Sequence, residues 1–530
     1  MAIPRFTAEE ALELARSGFG MANAERAEPL PSYDDQNWRV VRHDGLALGV
    51  VKLSASGAAC RGGAGCEETL DVLELEHEAM RRWRAQGVLC PEPIPAKWAP
   101  SAAEAGETSS ERIAMKFGAV KALSATVLRV DKANGGDGVN LVRAITYLRG
   151  EHLSKFVVPS PSSPLSPSSS LLTSPPPPSA GRGLPDGRAL AALRGVGAAC
   201  ALGLAALAGW DPVAGRRAGP WDLAHAHGAL RHARHLSDAA EGLALGSPSG
   251  LGGGEGGSEG GGAPSTLGSS PQQQQAPLSD RALVVGWLER FRARLDRDSA
   301  RFGGALPEQL VHNDLNDYNI LVDATALAAG GVDGEACGGG SGGTSDAGVA
   351  GGGGAGGGLH PLCAGIGILD FGDAVWTARV FDLAICLAYA CQPFGADPDA
   401  TLAAARAVLA GFKAASVAAA ATTTTTTLTA TAAMLTTTAA GEPSVAGPRD
   451  GGLTAREAAV LPLAVGARLC VSLLMSAGGG AVAGAEGAEV DEATAAYRKV
   501  SEAPGWRLLR TWKALDDAGR LGALVGLESW

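Results

Sequence analysis

Two short stretches of this chain carry side chains that could do chemistry together. The first is Val311-His312-Asn313-Asp314-Leu315-Asn316-Asp317-Tyr318-Asn319-Ile320, and the second, beyond a glycine-rich interval, is Ile368-Leu369-Asp370-Phe371-Gly372-Asp373. Phosphoryl transfer from a nucleotide needs a carboxylate beside the attacking hydroxyl and oxygen ligands for the magnesium ions that screen the phosphates. Asp314, Asn319 and Asp370 supply that set. The carboxylate and the carboxamide of the first stretch are five residues apart, on a loop, because Asn313 and Asn316-Asp317 are turn formers. On its own an Asx-rich turn ahead of a strand explains that stretch equally well. The second stretch shifts the balance. Gly367-Ile368-Leu369 reads as an apolar strand ending at Asp370, and Gly372 permits a sharp turn. If Ile320–Val322 pairs with Ile366–Leu369 as a hairpin, Asn319 and Asp370 meet at one divalent-ion site.

The elements that must position these residues fall into two groups. A helix is expected near Thr7–Ser17, where Thr7 can cap and Glu10 stands three residues on. Two strands, Asn37–Arg42 and Leu46–Leu53, flank His43-Asp44-Gly45, an Asp-Gly hairpin signal. A helix over Glu68–Gln86 carries Leu70, Leu73, Met80 and Trp83 at helical spacing and stops at Gly87. Pro91, Pro93 and Pro95 force an extended segment, and strands follow at Thr126–Val130 and Val142–Leu148. Beyond residue 187 helices dominate, at about Leu190–Ala208, Trp221–Leu236, Asp280–Phe302, Val380–Cys391, Pro398–Ala414, Thr454–Met475 and Val490–Gly519. The expected fold class is therefore α+β with two lobes, a small sheet lobe over residues 1–148 and a helical lobe over 149–530.

Four segments stand apart in composition: 159–187 (Pro/Ser), 246–277 (Gly/Ser/Gln), 324–358 (Gly/Ala) and 414–452 (Ala/Thr, then Gly/Pro). They cannot bury enough apolar surface to offset chain entropy and read as disordered insertions. Shorter ones lie near Ala102–Ser110, Asn134–Gly138 and Gly478–Ala488. In 414–452 alanine favours helix, but the consecutive β-branched threonines oppose it, and disorder is the preferred reading. Setting the insertions aside leaves about 370 residues of patterned chain.

The bulk properties narrow the function. Of 530 residues, 75 are glycine and 30 proline, so much of the length is not packed core. The net charge of −11 and the 5% aromatic content lack the basic, aromatic-interleaved footprint of a nucleic-acid binder. The nine cysteines are scattered, with no Cys-x-x-Cys pair, and read as reduced thiols. The N-terminus is too acidic for a targeting peptide. The apolar stretches Val196–Trp210 and Ala458–Met475 read as too short and as broken by Arg468, respectively, to span a membrane. A cytoplasmic enzyme without a membrane or nucleic-acid partner is the expectation.

The two motif blocks resemble the His-x-Asp-x-x-x-x-Asn and Asp-x-x-Asp blocks of the aminoglycoside phosphotransferase and choline kinase-like superfamily, relatives of the protein kinases. Together with Val380-Phe381-Asp382-Leu383-Ala384-Ile385-Cys386-Leu387-Ala388-Tyr389 they are most similar to the hydroxylysine kinase group. Ser32–Val40, Val142–Leu148, Pro220–Leu223, Gly466–Cys470 and Ser501–Trp506 extend the resemblance, which skips the low-complexity segments. The resemblance implies a protein kinase-like two-lobed fold. It makes Asp314 the catalytic base, worth roughly 10²–10⁴-fold, and makes Asn319 and Asp370 the magnesium ligands. Asp373 would be a secondary ligand or a brace, and His312 reads as structural. The family usually has glycine where this chain has Asn313, a residue that tolerates positive φ better than most.

By the same resemblance Lys52 would hold the nucleotide phosphates, although a lysine at a strand edge is usually just solvated. Its partner would be Glu74 on the following helix, with Glu76 and Glu78 close by in sequence. Ser32 and Asn37 bracket the expected phosphate-covering turn, which lacks the glycine-rich pattern of protein kinases. Thr146-Tyr147-Leu148 would be the hinge, with Tyr147 beside the purine. The donor would be ATP or GTP, and the resemblance favours GTP. Trp221, Asp222 and Arg468 are the acceptor candidates, since a guanidinium binds a carboxylate and an ammonium needs a carboxylate or an aromatic face. A core tryptophan, a helix cap and a structural ion pair are the plain alternatives for these three. The expected acceptor is a small molecule bearing a hydroxyl and an amine, hydroxylysine first. Choline, ethanolamine, homoserine, an aminoglycoside and a non-catalytic nucleotide-binding role stay open.

Overall fold

The computed structural model describes residues 6–32, 35–55, 64–97, 120–131, 139–157, 184–219, 221–236, 238, 278–302, 306–329, 359–433, 452–485 and 502–526. Helix α1 (Ala8–Glu13) opens with the expected capping box. Thr7 accepts from the Glu10 backbone, and the Glu10 side chain accepts from the Thr7 N–H. A six-stranded antiparallel sheet follows, comprising β1 (Ala24–Leu30), β2 (Asp35–Arg42), β3 (Ala47–Ala55), β4 (Val120–Ala122), β5 (Val127–Asp131) and β6 (Val139–Ile145), in the order β1-β2-β3-β6-β5-β4. Strands β1 and β4 were not expected from the sequence. β1 reads Ala-Glu-Arg-Ala-Glu-Pro-Leu and is largely exposed, so it lacks the alternation that marks a half-buried strand. One face of the sheet buries Trp38, Val40, Val51, Leu53, Leu128, Val130, Val142 and Ala144 against Leu14 and Phe19.

Helix α2 (Ala64–Ala85) turns its apolar stripe away from that cluster. Leu75, Ala79, Met80 and Trp83 join the large helical core, so α2 links the sheet to the helical body. The chain crosses over at Thr146–Gly150. It then forms β7 (Glu151–His152), which pairs with β9 (Ile320–Val322), itself paired with β10 (Ile366–Ile368). A second small ladder joins β8 (Glu308–Val311) to β11 (Val375–Ala378). The expected two-lobed α+β architecture is thus observed.

The helical body packs closely because its helices carry small residues where they touch. The Gly187–Leu207 and Pro398–Ala433 helices meet at Gly197 and Gly411. A Cβ added at Gly197 would lie 1.9 Å from the Val408 carbonyl, and one at Gly411 would lie 1.8 Å from the Arg194 carbonyl. Among the described residues three helices are long and apolar enough to cross a membrane: Gly187–Leu207, Pro398–Thr422 and Ala455–Gly478. This differs from the expectation that the corresponding stretches are too short or too interrupted. In the fold the first and third bury most of their length against neighbouring helices, and Arg468 of the third is itself buried.

Three expected insertions are shorter than predicted. The Pro398 helix continues to Ala433, well into the 414–452 segment, so alanine's helix propensity outweighs the threonines there. The Ala455 helix continues to Ala485, past Gly478, and accommodates Pro462 near its start. Ala324–Ala329 is also a short helix. The expected helix Trp221–Leu236 is a 3-10 run, Leu223–His235, and of the expected helix Val490–Gly519 the helix Glu502–Asp517 is described, residues 490–501 lying outside the described residues. Residues 159–183, 246–277, 330–358 and 434–451 lie outside the described residues, as do Ala102–Ser110 and Asn134–Gly138.

Candidate active site

The expected hairpin forms. β9 and β10 pair with Ile366 opposite Val322, Gly367 opposite Leu321 and Ile368 opposite Ile320. One further bond, Leu369 N–H to the Asn319 carbonyl at 2.8 Å, carries the ladder to the edge of the site. Asn319 and Asp370 therefore emerge side by side, although 51 positions separate them (370 − 319).

The loop before β9 is held from inside. Its anchor is Asp382, fully buried in the apolar helix Val380–Ala390, whose carboxylate accepts the backbone N–H of His312 at 3.0 Å and that of Asn313 at 2.7 Å. Burial raises the Asp382 pKa, while His312 and the two N–H groups act in the opposite direction. Asn313 takes φ 66°, the left-handed region that asparagine tolerates, and Asp370 takes φ 57°. The His312 ring lies against Phe371 and Trp83, with centroids at 4.6 and 5.6 Å. Its Nε2 donates to the Leu369 carbonyl at 2.9 Å, and its Nδ1 accepts the Asp314 N–H at 3.2 Å. Burial lowers its pKa, so it bridges the two motif blocks as a neutral ring.

Asp314 is held at both oxygens. Oδ2 accepts from Asn319 Nδ2 at 2.7 Å and Asn316 Nδ2 at 2.9 Å, and Oδ1 accepts from Arg468 Nη2 at 2.9 Å. Burial raises its pKa while the Arg468 charge lowers it, and Asp370 adds like-charge repulsion. Because Asn319 turns its amide nitrogen toward Asp314, its carbonyl oxygen is left for another partner. Asp370 is half-exposed, and Lys52 chiefly holds its pKa low, from a Nζ 3.2 Å away. Asp373 is pushed up to about 7 by burial, then by the Asp314 and Asp370 charges.

On the sheet side, Lys52 of β3 is buried. Burial opposes its charge, but Asp370, with Asp35 at 3.7 Å and Glu76, outweighs this and raises its pKa. Glu76, rather than Glu74, is the α2 acid that faces this cluster. It is buried, and Arg143 Nη2 holds it at 3.2 Å. Glu74 is part-buried with one oxygen lacking a partner. The register of α2 decides this, and the segment preceding the helix hides that register in the sequence. Arg143 of β6 also meets Asp35 at 3.3 Å and Ser54 Oγ at 2.6 Å. Sequence reading passed over Arg143, Asp35 and Asp382. The signal for two of them was there, a lone charge inside an otherwise apolar strand and inside an otherwise apolar helix.

The remaining candidates fall at varying distances from this centre. Asn37 sits opposite Lys52 in the β2–β3 ladder, with its Oδ1 buried and unpartnered. Ser32 is part-buried beyond the end of β1. Tyr147 lies beneath the Arg39 guanidinium at 5.7 Å. The Trp221 and Tyr389 rings lie 5.0 and 5.4 Å from the Arg468 guanidinium, and the Trp221 carbonyl accepts from it at 3.2 Å. Asp222 is buried as a helix cap. It accepts from Ala224 N–H, Thr377 Oγ1 and the His225 ring, so its carboxylate is committed to structure rather than offered to a ligand. The described cysteines are buried, unpaired thiols.

The donor set suits a divalent cation of the magnesium kind. Asp370, Asp373 and the Asn319 carbonyl are hard oxygen donors, and a bound cation would offset the burial and the carboxylate repulsion that together push Asp373 up. Among the described residues no three acidic, histidine or cysteine side chains converge as a self-sufficient metal cage.

With this geometry in hand, the family comparison matches residues 364–417 to the phosphotransferase enzyme family. The matched segment contains Asp370, Asp373 and Asp382. No curated protein matches the chain. Among solved structures, the chain is similar to a microcompartment-associated aminopropanol kinase, with 12% identity and TM-score 0.46 over 96% of this chain and 98% of that one. An amicoumacin kinase solved with AMP-PNP, Ca2+ and Ami gives 11% identity and TM-score 0.43 over 97% and 95%. The GDP complex of aminoglycoside 2'-phosphotransferase-IIIa gives 12% and 0.39 over 96% and 98%.

Proposed function

We propose that the chain is a small-molecule kinase that transfers the terminal phosphate of ATP or GTP to the hydroxyl of a hydroxy amino acid or amino alcohol, with hydroxylysine as the first acceptor to test. One observation carries this reading. A carboxylate pinned by Arg468, Asn316 and Asn319 stands beside Asp370, which Lys52 reaches from the sheet. In this reading Asp314 takes the proton of the acceptor hydroxyl as its oxygen bonds to phosphorus, and the bond to the nucleoside diphosphate breaks. Arg468 favours the ionised form that can accept that proton. Lys52 holds the phosphates, and Arg143 with Glu76 fixes the strand and helix from which it reaches. Asn319, Asp370 and Asp373 would hold magnesium, which supplies charge neutralisation of the phosphates. Ser32, Asn37 and Tyr147 line the nucleotide side, and the reading places the protein in the cytoplasm.

The test is a panel of hydroxylated amines with ATP and GTP. The Asp314→Asn variant should fold with its Asn316 and Asn319 neighbours in place and lose at least about 100-fold in turnover. Turnover at the wild-type rate in that variant would remove Asp314 as the base. Nucleotide-dependent thermal stabilisation with no transfer to any acceptor would favour a nucleotide-binding protein instead.

A further inference from the structure

Two guanidinium groups stand on the acceptor side, and they differ in what they have left to offer. Arg468 is buried, with Nη2 on Asp314 Oδ1, Nη1 on the Trp221 carbonyl and two aromatic rings close to it. A substrate carboxylate could take Arg468 only by displacing Asp314, the group the reaction needs. The sequence-based assignment of Arg468 to the acceptor carboxylate is therefore better replaced by a role in holding Asp314. Arg217 is placed differently. It is part-buried, and its Nη2 alone is engaged, donating to the Gly372 carbonyl and, at 3.4 Å, to the Ala374 carbonyl. Among the described residues its Nε and Nη1 meet no acceptor. Its charge bears on Asp373, the same carboxyl that Asp314 and Arg468 act upon. Arg217 thus sits on the turn that carries Asp373, beside the reacting groups, with two donor positions open.

The geometry points to Arg217 as the residue that binds the acceptor's carboxylate, which makes the substrate class hydroxylated amino acids rather than simple amino alcohols. This rests on the kinase reading above and narrows it. A guanidinium held in place through Nη2 still presents its Nε–H and Nη1–H groups as charge-assisted donors that a carboxylate can accept, and a lysine's single ammonium does not reproduce those positions.

The experiment compares acceptors that differ only in the carboxylate, homoserine against 3-aminopropanol, and hydroxylysine against its decarboxylated counterpart. Wild-type, Arg217→Met and Arg217→Lys proteins are measured in full steady state. The wild type should prefer the amino acid of each pair. Arg217→Met should raise the KM for the amino acid by about 10- to 100-fold, with the amino alcohol moving less than about 3-fold, and Arg217→Lys should fall between. Equal losses on both members of a pair would make Arg217 only a brace for the Gly372 turn, and a wild type that prefers the amino alcohol would also overturn the assignment. Either result leaves the kinase reading standing. Absence of transfer to every acceptor, with nucleotide still bound by thermal shift, would instead overturn that reading and this one together.

Discussion

Asp382→Asn isolates what keeps the Asp314 loop in shape. The substitution keeps size and leaves one acceptor oxygen, but it turns an amide N–H2 toward a backbone N–H that has no other partner. The native carboxylate accepts two bonds, 3.0 Å from His312 and 2.7 Å from Asn313, in a fully buried position. A hydrogen bond to a charged group is worth about 1.5–3 kcal/mol, and a buried donor left unpaired costs a further part of its desolvation. Losing one of the two should cost about 2–4 kcal/mol, a large share of the roughly 5–15 kcal/mol by which folded proteins are stable. For a core of this size that corresponds to a fall of about 3–5 °C in Tm. Differential scanning calorimetry measures it directly, with urea unfolding as a second probe. A Tm within about 1 °C of wild type would show that the two N–H groups have found other acceptors and that Asp382 is not the anchor.

Three further outcomes follow from other contacts. His77 is buried with its pKa lowered to about 3 by burial, so the unfolded chain binds a proton near pH 6.5 that the folded chain refuses. Its contribution is present above pH 6.5 and declines as pH falls, by about 2 kcal/mol at pH 5. His77→Gln, which can keep the bond to Thr126 Oγ1, should flatten that part of the stability–pH curve, and an unchanged slope would contradict the assignment. Asp35→Asn removes one of the carboxylates gathered on Lys52 and Arg143; it should tighten nucleotide binding several-fold in calorimetric titration, because the phosphates then meet less negative charge, and weaker binding would oppose this. Gly411→Ala puts a methyl 1.8 Å from the Arg194 carbonyl and should destabilise by at least about 1–3 kcal/mol in urea unfolding; a neutral result would mean the helices separate at little cost.

The parts of the site legible in the sequence are those whose chemistry and spacing are local. Asp314, Asn319 and Asp370 sit in two short blocks, and the apolar runs beside them, one after the first turn and one ahead of Asp370, announced the hairpin that joins them. Lys52 stood out near the end of an apolar strand, but only the family resemblance pointed it toward the phosphates. What stayed hidden depends on packing between distant elements. Choosing Glu76 over Glu74 requires the rotation of α2 about its axis, and the role of Arg217 requires knowing which turn its segment crosses. Asp382 and Arg143 were visible as charges in apolar surroundings, but their partners lie 70 and 67 positions away. Strand β1 gave no signal because its faces are both largely polar, and the Ala/Thr helix was misread because local propensities there conflict.

The β9–β10 ladder has one more consequence. Residues 319 and 370 are set side by side by three paired positions and by the Leu369–Asn319 bond, and β8 with β11 adds a second seam between the same halves of the chain. Their alignment is a property of non-covalent pairing, so the peptide link between Ala329 and Leu359 need not transmit it. A polypeptide ending at residue 329 and another starting at residue 359, expressed together, are expected to copurify as a complemented pair and unfold as one unit. Failure to associate would show that chain connectivity, and not the ladder, holds the two halves in register.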